Sequence, residues 1–297
     1  MNTERLESQR AVVGDGFEIR RALPNRHRRM VGAWCFLDHA GPANYAAGQG
    51  LRIGPHPHIG LQTFSWMIEG RILHRDSLGF EQWINPGQVN LMTAGRGISH
   101  SEESPVDVPG RFQLAQLWIA LPKHECDREP AFQHYPVLPL LDRGGFRITV
   151  LAGTFAGERS PAEVYSPMVG LDLASTGVAR TDLPLDPAFE YAAMTLEGAP
   201  AVNCEALAPG TLLYLGTGRT ALTVDCAGAS RLLVIGGEPF GEDILLWWNF
   251  VARTKAEMEV ATRDWSEGRR FGKVRGARAA PLVAPAIGTL RLRGAPR

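Results

Sequence analysis

A chain of 297 residues with 44% hydrophobic and 21% charged residues can build two cores of ordinary size, which excludes disordered and fibrous classes. The formal charge is zero but uneven: from Lys273 onward there are six Lys/Arg and no acid, so residues 1–272 hold 25 cations against 31 anions. No run of about 18 apolar residues occurs and the opening MNTERLESQR is charged, so neither a membrane span nor a secretory signal is expected and the protein reads as cytoplasmic. Cys35, Cys126, Cys204 and Cys226 lie far apart with no C-x-x-C spacing, which predicts unpaired thiols.

In chain order, the basic stretch from Arg20 to Arg29 is broken by Leu23-Pro24 and reads as a charged loop before a strand. Short apolar runs follow, separated by Gly, Pro and Asp: Arg52-Ile53, Leu61 to Ile68, Val89 to Met92, Phe112 to Leu121 and Phe146 to Leu151. The series continues with Val169 to Leu173, Tyr191 to Leu196, Leu212 to Leu215, Leu222 to Val224 and Leu232 to Ile235. Strands of this length and spacing build sandwiches or barrels. Gln62, Phe64, Trp66 and Ile68 share the parity of His56 and His58, with Thr63, Ser65 and Glu69 on the opposite face, which predicts an aromatic interior around the histidines. Pro57 cannot donate to a ladder, so His56-Pro57-His58 should begin a strand, lie on an edge or sit at a bulge. Thr254 and Glu257 form a capping box, and Met258, Ala261 and Trp265 mark the apolar stripe of a helix ending near Gly268. The basic Ala/Pro/Gly-rich tail, residues 273–297, reads as a flexible solvated extension, and no nucleic-acid motif accompanies it.

A weak internal repeat points to two copies of one architecture. Phe64 to Gly70, then Pro86 to Leu91, then Gly95-Arg96-Gly97 is matched in order and spacing by Ala192 to Gly198, Pro209 to Leu215 and Gly216-Thr217-Gly218. All eight histidines fall in the first 134 residues. Carried over by the repeat offset, His56, His58, His100 and Glu102 land on Pro184, Asp186, Thr223 and Asp225, so the second barrel is expected to be metal-free.

Two doublets spaced i, i+2 carry the chemistry: His56-Pro57-His58 and His100-Ser101-Glu102. On a strand each doublet presents both members on one face, so two such strands can converge three imidazoles and one carboxylate. Iron, manganese, nickel, copper and cobalt accept that donor set, zinc fits it as well, and open positions remain for substrate. Glu103 has the wrong parity for a ligand, and His39, His124 and His134 have no partner at ligand spacing. His74 is not read as a ligand, though an orienting role is open to it. The glycines of Gly95-Arg96-Gly97 serve a turn. Without G-x-S-x-G, P-loop or dinucleotide motifs, hydrolase, NTPase and dehydrogenase readings fall away.

These residues resemble the pirins, two-domain members of the cupin superfamily. The likeness runs through Phe36 to Pro42, Gly54-Pro55-His56-Pro57-His58-Ile59-Gly60, His74 to Gly79, Asn85-Pro86-Gly87 and Met92 to Ile98, and resumes at Gly237-Glu238-Pro239 and Asn249-Phe250-Val251. The resemblance implies an all-β fold of two tandem jelly-roll-type cupin barrels with a short C-terminal helix: a metal-binding domain at 1–135, a metal-free one at 136–272 and the tail. It implies one divalent transition metal, Fe(II) first, held by His56, His58, His100 and Glu102. It further implies a quercetin 2,3-dioxygenase-like activity on a phenolic substrate with dioxygen, Glu102 accepting the substrate's proton. The alternative is a non-enzymatic redox-sensitive regulator with a protein partner. Gln62 departs from the Glu that many pirins carry there, leaving Glu102 as the carboxylate and Gln62 as a hydrogen-bonder near the site. The Trp247-Trp248-Asn249-Phe250 stretch is a second, aromatic departure.

Overall fold

The computed structural model describes residues 3–14, 16–105 and 107–287. Short β-strands dominate, as the Gly/Pro punctuation predicts, and the one helix described is Lys255–Ser266. The chain forms two compact units: residues 3–10, 20–39 and 135–240 make one, and residues 11–19, 40–134 and 241–287 make the other. The simple division at 135/136 expected from the repeat is therefore drawn differently, because terminal segments cross over. Strand Glu4–Glu7 joins the edge strand Thr211–Gly216 in the register Glu4↔Tyr214 to Glu7↔Thr211, and buries Leu6. Trp34, fully buried, donates its indole N–H to the carbonyls of Val169 and Gly236, both at 3.2 Å. A repeat shows where an architecture recurs but carries no signal for which unit a flanking strand joins.

In the unit built on residues 135–240, the larger sheet runs Glu4–Glu7, Thr211–Gly216, Glu190–Glu197, Ser230–Gly237, Met168–Ser175, Phe146–Phe155, Leu140–Arg143. The smaller runs Ala179–Pro184, Ala221–Cys226, Ala201–Val202, Glu205–Ala206. Alternate residues of both, among them Phe146, Ile148, Leu171, Leu173, Leu222 and Val234, fill the space between them.

In the unit built on residues 40–134, one sheet runs Arg52–His58, Ile98–Glu103, Ile72–Asp76, Glu81–Ile84. The other runs Ala131–Tyr135, Val89–Thr93, Leu61–Glu69, Gly110–Ala120 and is continued by residues 40–45 and 11–19. Met67, Ile72, Ile84, Phe112 and Leu114 make one end of the core, leaving the other end for polar groups. Pro57 lies on an edge strand, and a bulge opposes Gly54-Pro55 to Ser101, since His100 pairs His56 while Glu102 pairs Ile53. Thr254 caps the helix, its hydroxyl accepting from the Glu257 N–H at 3.2 Å.

The tail departs from expectation over residues 273–287, while residues 288–297 lie outside the described residues. Leu282 N–H donates to the Pro55 carbonyl at 2.8 Å, Trp265 Nε1–H to the Leu282 carbonyl at 2.8 Å, and Arg278 N–H to Glu103 Oε1 at 2.8 Å. This stretch covers the outer edge of strand 52–58. An exposed edge strand invites pairing with other chains, and two prolines plus a covering segment remove the opportunity.

Candidate metal centre

The alternation predicted to run unbroken from His56 to Ile68 fails at Gly60. Gly60 has φ +66° and a Cβ there would collide with the Val251 carbonyl, so the chain turns and strand 61–69 enters the other sheet with its parity reset. Thr63 and Ser65, not Phe64 and Trp66, share the side of the histidines. Trp118, across from Thr63, lies edge-to-face with His58 at 5.2 Å, and the Ser65 hydroxyl, which donates to Gln116 Oε1 at 2.8 Å, lies beside Glu102. Gln62, on the opposite face of its strand from Ser65, donates to Thr93 Oγ1 at 2.9 Å and is removed from the site. Gly95, at φ +50°, serves the expected turn, where Gly97 N–H donates to the Ala94 carbonyl.

His56, His58 and His100 come together, each offering a nitrogen within 4.8 Å of the others'. All three are buried. The pairing His100↔His56 places two of them side by side across the ladder. Ring centroids are 4.4 Å apart for His56 and His100, and 5.0 Å for His58 with either partner.

Their protonation follows from their neighbours. His56 Nδ1 is 2.9 Å from the Gly54 carbonyl and His58 Nδ1 is 3.0 Å from the Asn249 carbonyl; a carbonyl only accepts, so each Nδ1 carries the proton and each Nε2 keeps its lone pair. His100 Nδ1 lies 3.3 Å from His74 Nδ1, and His74 Nε2 lies 3.1 Å from Asp76 Oδ2. Asp76 Oδ1 accepts from the N–H groups of Leu78 and Phe80 at 2.9 and 3.1 Å. With Asp76 an acceptor, His74 donates through Nε2 and accepts through Nδ1, which leaves His100 with a proton on Nδ1 and a lone pair on Nε2. His74 is stacked on Phe132 at 4.3 Å.

Three lone pairs thus face one point. His58 Nε2 and His100 Nε2 stand 3.0 Å apart with no proton to share. Two nitrogens bound to one metal at about 2.1 Å and about 90° would be about 3 Å apart, so the donor set fits a cation. Burial first, and the neighbouring imidazoles second, hold the groups neutral: His56 is lowered to about 4, and His58 and His100 fall well below the ordinary histidine value. A neutral imidazole is the form that binds metal.

Glu102 stands outside this group of three. It is buried opposite His74, and burial raises its carboxyl to about 7, the Ser65 contact opposing the shift. Glu103 turns away, as its parity required, and its carboxylate binds Arg75 at 3.1 Å and the Arg278 N–H. His39 and His124 lie elsewhere, and His134 bonds Asn90 Oδ1 at 2.7 Å. Asp76 and Asn249 escaped the sequence reading. Asp76 had a usable signal, since His74 and Asp76 form a third i, i+2 doublet; Asn249 contributes only a backbone carbonyl, for which sequence has no signature.

Comparison with known proteins agrees with this architecture. The pirin family model matches residues 16–119, and the model of the pirin C-terminal cupin domain matches residues 170–272. A Pseudomonas aeruginosa protein named "putative quercetin 2,3-dioxygenase" is 50% identical, covering 96% of this chain and 90% of its own length. A pirin-like protein of Caulobacter vibrioides is 36% identical over 89% of this chain and 93% of its own. A crystal structure of quercetin 2,3-dioxygenase from Acinetobacter baumannii superimposes with a TM-score of 0.95 at 48% identity, over 98% of this chain and 97% of that one. Two barrels of one architecture, one of them gathering the histidines and each matched by its own family model, make this chain a member of the pirin family.

Proposed function

We propose that this pirin is a metal-dependent dioxygenase that opens the ring of a flavonol-like phenol such as quercetin. The observation that carries the reading is the convergence of three Nε2 lone pairs, 3.0 Å apart for His58 and His100, in a buried site. The names of the 50%-identical relative and of the 48%-identical structure support the reaction class. Fe(II) is the metal we assign, with Mn, Ni, Cu, Co and Zn acceptable to the same donors; once bound, it supplies Lewis acidity and a site where a phenolate and dioxygen meet.

The chain's own residues do the rest. His56, His58 and His100 provide neutral nitrogen ligands, and the Asp76–His74 pair fixes the tautomer of His100. Glu102 supplies the carboxylate of the ligand set and, from the same oxygen atoms, accepts the proton of the substrate hydroxyl. The apolar rings of Trp118, edge-to-face with His58, and Phe132, stacked on His74, flank these imidazoles.

Metal analysis combined with quercetin turnover tests the reading. Wild-type protein is expected to hold one metal per chain and to consume quercetin with dioxygen, His56→Ala to lose both, and Glu102→Gln to lose turnover. Turnover surviving in His56→Ala would sink the mechanism. Stoichiometric metal with no turnover on any flavonol would turn the reading to a redox-sensitive regulator acting through a protein partner.

A further inference from the structure

Residues 135–240, which make the body of the second barrel, include no histidine, yet they enclose a cavity of 840 Å³ walled entirely by residues 153–191. Phe155, Leu171 and Tyr191 on its wall also belong to that barrel's core, so the cavity opens from the interior of the barrel. Pro184 and Asp186 line it too. These are the positions onto which the internal repeat carries His56 and His58. Thr223, onto which the repeat carries His100, pairs with Asp182 and lies outside the lining, so the cavity is not a copy of the imidazole site.

Three features of the wall define what fits. Phe155, Phe189 and Tyr191 make it aromatic, the rings of Phe189 and Tyr191 lying 6.1 Å apart and inclined by 38°. A planar ring gains offset or edge contacts with such a pair. Arg159 is exposed on the wall, and its guanidinium has no hydrogen-bond or ion-pair partner among the described residues. An unpaired guanidinium is a fork matched to a carboxylate. The third feature is polar. Tyr191 accepts a hydrogen bond from the Asp186 N–H at 2.9 Å and keeps its own proton, and Asp186 Oδ1 accepts from the Ala188 N–H at 2.9 Å, leaving Oδ2 for a ligand donor. Burial pushes the Tyr191 phenol up to about 12, so it stays a donor at neutral pH.

We propose that this cavity is a second, metal-independent binding site for a hydroxylated aromatic carboxylate. The ring lies against Phe189 and Tyr191, the carboxylate pairs with Arg159, and a ring hydroxyl donates to Asp186. An anion alone would be repelled by Asp186 and an uncharged aromatic would leave Arg159 unmatched, so both ends of the ligand are specified. The site is independent of the reaction proposed for the first barrel.

Calorimetric titration of the full-length protein with 4-hydroxybenzoate, with 4-hydroxybenzyl alcohol as the uncharged analogue, tests this directly. The expected result is saturable 1:1 binding of the acid, unchanged after chelation of metal, and binding of the alcohol weaker by about tenfold, the scale of one charge-assisted hydrogen bond. Arg159→Gln should weaken the acid by about tenfold and erase the preference over the alcohol, with Arg159→Lys intermediate. Phe189→Ala should weaken both ligands alike. Arg159 is exposed, so its variants test the site without disturbing the core. Absence of saturable binding, or an unchanged affinity in Arg159→Gln, overturns the proposal, and so does binding that disappears with the metal, which would locate the ligand in the first barrel.

Discussion

Each of the three histidines owes its readiness to a different acceptor: a neighbouring carbonyl for His56, a carbonyl from residue 249 for His58, and a histidine–aspartate pair for His100. Removing a ligand should empty the site, so His56→Ala and His100→Ala are expected to contain almost no metal by elemental analysis. His134→Ala should retain it, because that ring bonds Asn90 and stands apart from the triad. Asp76→Asn keeps the volume but offers His74 an ambiguous partner; metal affinity should fall about 10- to 100-fold in competition with a chelator. An unaltered affinity would show that the tautomer of His100 is set otherwise. At this scale the sequence was legible for His56, His58 and His100, whose spacing follows from strand geometry alone. Asn249 acts through a main-chain oxygen, which any residue would supply.

At the scale of elements, the Ile59-Gly60 turn decides which residues share the site. Alternation holds within strand 61–69 but not across the turn into it, and for that reason Ser65 rather than Phe64 approaches Glu102. Gly60→Ala would force a side chain into the left-handed region and against the Val251 carbonyl. It should cost about 1–3 kcal/mol, read as a lower urea midpoint. The helix was legible because its cap is local: Thr254 Oγ1 accepts from the Glu257 N–H, though the Glu257 carboxylate accepts from the Arg253 N–H rather than closing the box on Thr254. The packed stretch 273–287 was not, since its composition resembles a solvated linker and its anchors are backbone groups of Pro55 and Leu282.

For the whole molecule, acid sensitivity follows from the buried imidazoles. His39 and His56 are lowered to about 4 from 6.5, and His58 and His100 also lie well below 6.5, so the unfolded chain binds more protons than the folded one below the ordinary histidine value. Stability contributed by these groups is present above about pH 6.5 and is lost as pH falls toward 4, by up to about 1.4 kcal/mol per pH unit for each. Glu102, raised to about 7, and Asp38, raised to about 6, act with the opposite sign and offset part of the loss. Chelated protein should therefore unfold at lower urea at pH 5.5 than at pH 7, and a midpoint unchanged or higher at pH 5.5 would contradict the balance. The recurrence of one architecture was legible from the repeat, whereas the exchange of terminal segments was not, because the pairing of Glu4–Glu7 with Thr211–Gly216 links residues some 200 positions apart in sequence.

The hydrogen bond from His58 to the Asn249 carbonyl also sets an order in time. During synthesis the His-Pro-His and His-Ser-Glu segments emerge early, but the group that fixes the proton on His58 follows 191 residues behind it. A nascent chain shorter than this holds the ligands without their alignment. A chain ended at residue 240 lacks that carbonyl and should take up metal more weakly than one that includes Asn249, measured by chelator competition.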